Sequence, residues 1–187
     1  MILLILGLVL WYATHLFKIL APEPRAAAAA RMGEGPWKGL IAVLTLLAVA
    51  LMVLGYQSAG YVPVWTSPVW LWHVNNLLMV LAVFVFIAGS FASPVRRRIR
   101  HPQLTGVKIW AVAHLLVNGD VASIVLFGGL LAWAVIAVIG INRRDGPRGP
   151  LPEATSKGLA IHIGVGVVVF LVVGWLHGLL GAWPFPG

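Results

Sequence analysis

The chain has 187 residues, 60% of them hydrophobic and 10% charged, against about 25% charged in ordinary soluble domains, so a water-soluble globule is excluded. Thirteen Lys and Arg outweigh five Asp and Glu for a formal net charge of +8, yet the cations sit in short clusters between long apolar runs, which points to a membrane surface and away from nucleic acid. Cysteine is absent, which excludes disulfides, thiolate metal centres, iron–sulfur clusters and covalent c-type haem attachment, and leaves His, Met and carboxylates as transition-metal ligands.

A spanning helix takes about 20 apolar residues to cross about 30 Å of hydrocarbon. The first such run, Ile2 to Ala21, has neither the basic leader nor the small-residue cleavage site of a signal peptide and reads as a retained span. Pro22 and Pro24 end it, and Ala26 to Ala30 is a helix-friendly, low-complexity patch in a charged loop that carries Arg25, Arg31 and Lys38. Leu40 to Tyr56 and Val69 to Ala92 follow as the second and third spans. A basic loop with Arg96, Arg97, Arg98 and Arg100 comes next, and His101-Pro102 opens a fourth helix, with proline in a first turn that does not need its missing N–H.

The stretch from Leu104 to Ile141 is too long for one span and is interrupted by Asn118, Gly119 and Asp120. It predicts two helices joined by a tight turn, in which Asn or Gly takes the left-handed conformation and Asp120 caps the next helix. Arg143, Arg144, Arg148 and Lys157 then precede a last span, Leu159 to Ala182. The expectation is an all-α polytopic membrane protein with six transmembrane helices, forming a single domain over residues 1–187. With six spans every cation, Lys18 and Lys108 included, falls on one side, which puts both termini on the outer (periplasmic) side and the basic loops in the cytoplasm.

Ionisable side chains inside a span are costly and therefore mark candidate functional positions. Counted from the cytoplasmic ends, His15 in span one and His114 in span four lie at similar depth, roughly 10 to 15 Å at 1.5 Å per residue. Two neutral imidazoles from different helices at matched depth are what axial coordination of a b-type haem requires. Trp11 precedes His15 by four residues, and Trp110, His114 and Asn118 repeat at the same step, so each histidine has a large aromatic on its own face that is able to pack a porphyrin. The bland alternative is a hydrogen-bonded link between helices. His162 is close enough in depth to replace either ligand, and His73 with Asn76, together with His177, form a second pair toward the outer side that suits interfacial packing.

Span six carries small or aromatic residues at four-residue steps, Gly158, His162, Gly166, Phe170, Gly174 and Gly178, a face on which another helix approaches closely. Gly106, Gly128 and Gly129 are expected to serve the same end in spans four and five. Asp120 invites a proton-relay reading, but capping accounts for it. The arginines after span three suit the anionic inner leaflet and equally suit haem propionates. No phosphate-binding loop, zinc-binding helix motif, serine elbow or paired carboxylates are present.

The run from Arg100 to Asp120, RHPQLTGVKIWAVAHLLVNGD, resembles the signature of the NnrU membrane-protein family, which is related to plant zeta-carotene isomerase. The resemblance extends from His15 to the segment Trp175-Leu176-His177-Gly178. It implies an integral protein of the bacterial inner membrane tied to nitrite and nitric oxide reduction in denitrification. From the isomerase relative it implies haem b, held by a first-span histidine and the histidine of a Trp-x-x-Ala-His pattern; these positions match His15 and His114. The expected site therefore comprises His15 and His114 as iron ligands with Trp11, Trp110 and Asn118 around them, and the expected chemistry is haem-dependent redox or cis-trans isomerisation. The competing reading is a non-catalytic assembly or maturation factor for a membrane reductase partner, with the glycine face and basic loops as interaction surfaces; a small transporter is a weaker third.

Overall fold

A computed structural model describes residues 1–151, 153–179, 183 and 184. The described residues form eight α-helices: α1 (Ile2–Leu20), α2 (Pro22–Met32), α3 (Glu34–Gln57), α4 (Trp70–Ile87), α5 (Pro94–Arg98), α6 (Pro102–Val117), α7 (Val121–Asp145) and α8 (Ser156–Leu179), with one 3-10 turn, Ala88–Ser90, extending α4. Five of them are long and apolar enough to cross a membrane: α1, α3, α4 with its 3-10 turn, α7 and α8. The predicted fourth span is α6, whose 16 residues give about 24 Å of helix, short of the hydrocarbon thickness. The charged loop after span one is itself a helix: Ala21 breaks the chain at φ −137°, and Pro22 starts α2 in the first-turn position that tolerates proline. The last predicted residues of span six, 180–182, lie outside the described residues.

The helices group into two compact units, Met1–Val64 with Asp120–Gly146, and Trp65–Gly119 with the described residues of Pro147–Gly187. In the first unit α1 and α3 meet through small residues. An added Cβ at Gly7 would come within 2.7 Å of Met52, and one at Gly55 would run into the Leu4 backbone, so neither position has room for a side chain. Leu4, Leu8, Met52 and Ala122 form the core there, with Trp11, Tyr56 and Leu130 packed around it. α7 joins this unit: Gly129 lies under Leu8 and Gly140 against Ile19, while the Tyr12 hydroxyl donates to the Gly129 carbonyl at 2.6 Å.

The start of α7 is capped as the sequence predicts. The buried Asp120 carboxylate accepts from the Ser123 N–H at 3.0 Å and from the Ser123 hydroxyl, and the Tyr56 hydroxyl bonds the same Ser123 oxygen at 2.9 Å. The Val121 N–H, another donor that the first turn leaves without a helical partner, reaches the Val62 carbonyl at 3.0 Å. The expected left-handed turn before it is not formed. Asn118 is extended at φ −107°, ψ 94°, and among the described residues the positive-φ glycines are Gly33 and Gly146. Gly119 is required for space instead, because a Cβ there would strike the Trp65 carbonyl and indole, and the Trp65 N–H donates to the Gly119 carbonyl at 3.1 Å.

In the second unit α4 and α6 pack closely where Gly106 faces Ala82 and Phe86, with Ala111 and Ala113 fully buried. α8 lies on α4 through the predicted face. Gly166 abuts the Phe84 ring, Gly158 abuts the Ala92 carbonyl, and His162 and Gly174 are buried. Gly178 is occupied by Trp183. The correction concerns Gly128, around which there is open space, so it serves no close approach. The Arg148 guanidinium clamps the short α5, donating to the carbonyls of Arg96 at 2.6 Å and Arg97 at 3.1 Å.

Candidate functional site

His15 and His114 belong to different units, and each is held in the same way. The Nδ1–H of His15 donates to the Trp11 carbonyl at 3.0 Å, and that of His114 donates to the Trp110 carbonyl at 2.9 Å. A carbonyl can only accept, so a bond to it puts the proton on Nδ1; at His15 the Thr14 hydroxyl also lies 3.0 Å from Nδ1. Each bond closes one helical turn back, which is why tryptophan and histidine recur at a spacing of four: Trp11 stacks on the His15 ring at 3.9 Å between centroids and 21° between planes, and Trp110 lies tilted at 4.9 Å from the His114 ring. Both tryptophans thus pack on the imidazoles themselves.

Around His15 a third ring, Trp133 of α7, stands edge-on to both Trp11 and His15 at centroid distances of 5.2 and 5.3 Å. The sequence reading missed it, although an indole in the middle of a long apolar helix was the available signal. The indole N–H groups of Trp11 and Trp133 are buried without a hydrogen-bond partner, an arrangement that an acceptor on a bound group would relieve. Thr14 donates to the Leu10 and Trp11 carbonyls, each at 3.0 Å, beside His15.

Around His114, Asn118 donates both its backbone N–H and its side-chain amide to the His114 carbonyl, each at 2.9 Å, ending α6 directly beyond the histidine. His177 on α8 has its Nδ1–H tied to the Val173 carbonyl at 2.8 Å. His73 is exposed, while the neighbouring Asn75 is buried and bonds Asn76 at 3.3 Å.

His162 is different in kind. It is 1% exposed, lies flat against Phe91 at 5.4 Å and 12°, and spends Nε2 on the Phe84 carbonyl of α4 at 2.7 Å. That carbonyl is one that α4 leaves open, because the helix tightens into its 3-10 turn and the Ala88 N–H goes to Val85 instead. His162 is thus the helix-to-helix link of the bland reading.

Taken one at a time, His15 and His114 each offer the kind of donor that a haem iron takes. Among the described residues no three His, Asp or Glu cluster to hold a bare metal ion, but a porphyrin brings four nitrogens of its own and asks only for axial donors. An imidazole with Nδ1–H bound to a carbonyl is the usual form of such a donor.

No curated protein and no solved structure matches the chain. A family model described as NnrU protein matches residues 3–184, nearly the whole length, and the chain, with its long apolar helices and its two Trp-x-x-x-His turns, therefore belongs to the NnrU protein family.

Proposed function

We propose that this protein is a haem b protein of the bacterial cytoplasmic membrane that serves nitrite and nitric oxide reduction, with His15 and His114 as the axial ligands. The observation that supports the reading is the shared geometry of these two rings, each with Nδ1–H anchored to its own helix at 3.0 and 2.9 Å. Six crossings, α6 being the shortest, put all thirteen cations on the cytoplasmic face and both termini outside. A bound haem supplies an iron centre for redox or cis-trans isomerase chemistry. The chain's own part is to orient the imidazoles through the Trp11 and Trp110 carbonyls, to shield them with Trp11, Trp110 and Trp133, and to end α6 at Asn118.

The reading as an assembly factor for a membrane reductase has less support. On the glycine face of α8, Gly158, Gly166 and Gly178 already pack within the chain against Ala92, Phe84 and Trp183.

The test is a reduced-minus-oxidised absorption spectrum of the protein purified in detergent after expression with ample haem. A Soret band is expected for the native chain, its loss for His15→Ala and His114→Ala, and its retention for His101→Ala and His162→Gln. A native chain without that band defeats the proposal.

A further inference from the structure

At the end of the first unit where α1 stops and α3 begins, α1, α2 and α3 enclose a pocket of about 180 Å³. Its polar rim is Lys18, Arg25 and Lys38, with Thr14 beside them, and its apolar wall is Phe17, Trp37 and Ile41. Phe17 and Trp37 pack together at 6.1 Å between ring centroids, which fixes that wall. The local charge is unbalanced. Glu34 is the carboxylate that faces this cluster, and it is shared between Arg25 at 3.6 Å and Lys38 at 3.9 Å. The nearby Arg144 is engaged with Asp145 at 2.7 Å and donates to the Lys18 carbonyl at 3.3 Å. The Lys18 ammonium takes part in no ion pair among the described residues.

We propose that this pocket binds the phosphate of an anionic phospholipid whose acyl chains lie along α3. Three cations against one shared carboxylate leave an excess of two positive charges, which complements a phosphodiester and a further oxyanion or hydroxyl. The wall of aromatic and aliphatic side chains suits the glycerol and upper acyl region. Beyond the pocket, Leu46 and Val49 of α3 are 69% and 40% exposed, an apolar surface for the chains on a helix built to cross a membrane. A free oxyanion has no use for that surface, and a zwitterionic headgroup brings its own cation to a site already rich in them. The pocket adjoins His15 through Thr14, but lipid retention is read without haem, so the proposal survives a failure of the haem reading.

The experiment is native mass spectrometry of the full chain released from mixed micelles holding equal phosphatidylglycerol and phosphatidylcholine. The native protein is expected to retain phosphatidylglycerol in preference. Each lysine removed lowers that retention about fivefold, the effect of roughly 1 kcal/mol per cation near an anionic surface, so Lys18→Gln/Lys38→Gln loses most of it and Lys18→Arg/Lys38→Arg keeps it. Arg97→Gln/Arg98→Gln, a charge-matched change at exposed arginines of the other unit, lowers retention less than the pocket change does, because no pocket holds the lipid there, and far-ultraviolet circular dichroism checks that every variant remains helical. Equal retention of phosphatidylcholine overturns the proposal, as does an equal loss in the arginine control. Displacement of the lipid by inorganic phosphate, but not by chloride at the same ionic strength, overturns it too, since the pocket then reads the oxyanion alone.

Discussion

His15 in the first unit and His162 in the second are both histidines of long apolar helices, and their nitrogens are used in opposite ways. His15 satisfies Nδ1 on its own helix, at the Trp11 carbonyl, and Nε2 makes no hydrogen bond among the described residues. His162 directs Nε2 across to the Phe84 carbonyl of another helix and is enclosed by Phe84 and Phe91. Each ring keeps one nitrogen without a hydrogen bond, but that of His162, Nδ1, is fully buried, and its bonded nitrogen holds two helices together. Depth in the membrane does not separate the two cases, but the identity of the acceptor does.

Replacing the linking histidine is the most damaging way to probe this contrast. His162→Ala leaves a cavity between Phe84 and Phe91 and orphans a buried carbonyl, which together cost about 3 to 5 kcal/mol; thermal loss of helicity in detergent measures it. His15→Ala, by contrast, should melt much closer to the native protein, and equal losses at the two positions would erase the distinction.

Glycines provide the next pair. Gly106→Val forces a side chain against the backbone of Ala82 and Phe86 and is expected to cost about 1 to 3 kcal/mol from overpacking, or more if α4 cannot shift. The same melting assay reads it, together with protease sensitivity of the α4 to α6 connection.

Asp120→Ala removes the carboxylate that caps α7 and leaves the Ser123 N–H and hydroxyl without their acceptor. A loss of about 1 to 2 kcal/mol follows from the cap alone. Asp120→Asn retains most of it, since an amide oxygen also accepts. A much larger loss in Asp120→Asn, seen in the same unfolding curves, would mean that the negative charge itself is needed.

The smallest effect is expected at Gly128, where nothing stands within 4 Å of an added Cβ. Gly128→Ala should be neutral or stabilising by up to about 1 kcal/mol, because alanine is the better helix former. A clear destabilisation there would show that α7 packs more tightly than its open surroundings indicate.

Much of this organisation was legible in the linear chain. Apolar runs marked the long helices, the Asn118 to Asp120 interruption marked the junction of α6 and α7, and four-residue spacing marked the Trp–His turns and the packing face of α8. The pairing of α1 with α3 through Gly7 and Gly55 was not legible, since isolated glycines in apolar runs carry no periodic signal. Nor was the role of Gly119, because the group that excludes a side chain there, the Trp65 carbonyl, is far away in sequence. Trp133 was overlooked for the same reason: it is meaningful only where α7 brings it to Trp11 and His15.

Hydrophobicity and backbone hydrogen bonding act between near neighbours along the chain, so the apolar helices, their ends, the Asp120 cap and the Nδ1 bonds of His15 and His114 follow from the residue order alone. Tertiary structure decided that α7 joins α1 and α3, that His162 serves as a link, and that Lys18, Arg25 and Lys38 surround one pocket. These outcomes depend on which helices meet, and in an apolar chain many pairings bury similar surface, so the choice falls to the fit of small residues and the matching of a few polar atoms far apart in sequence.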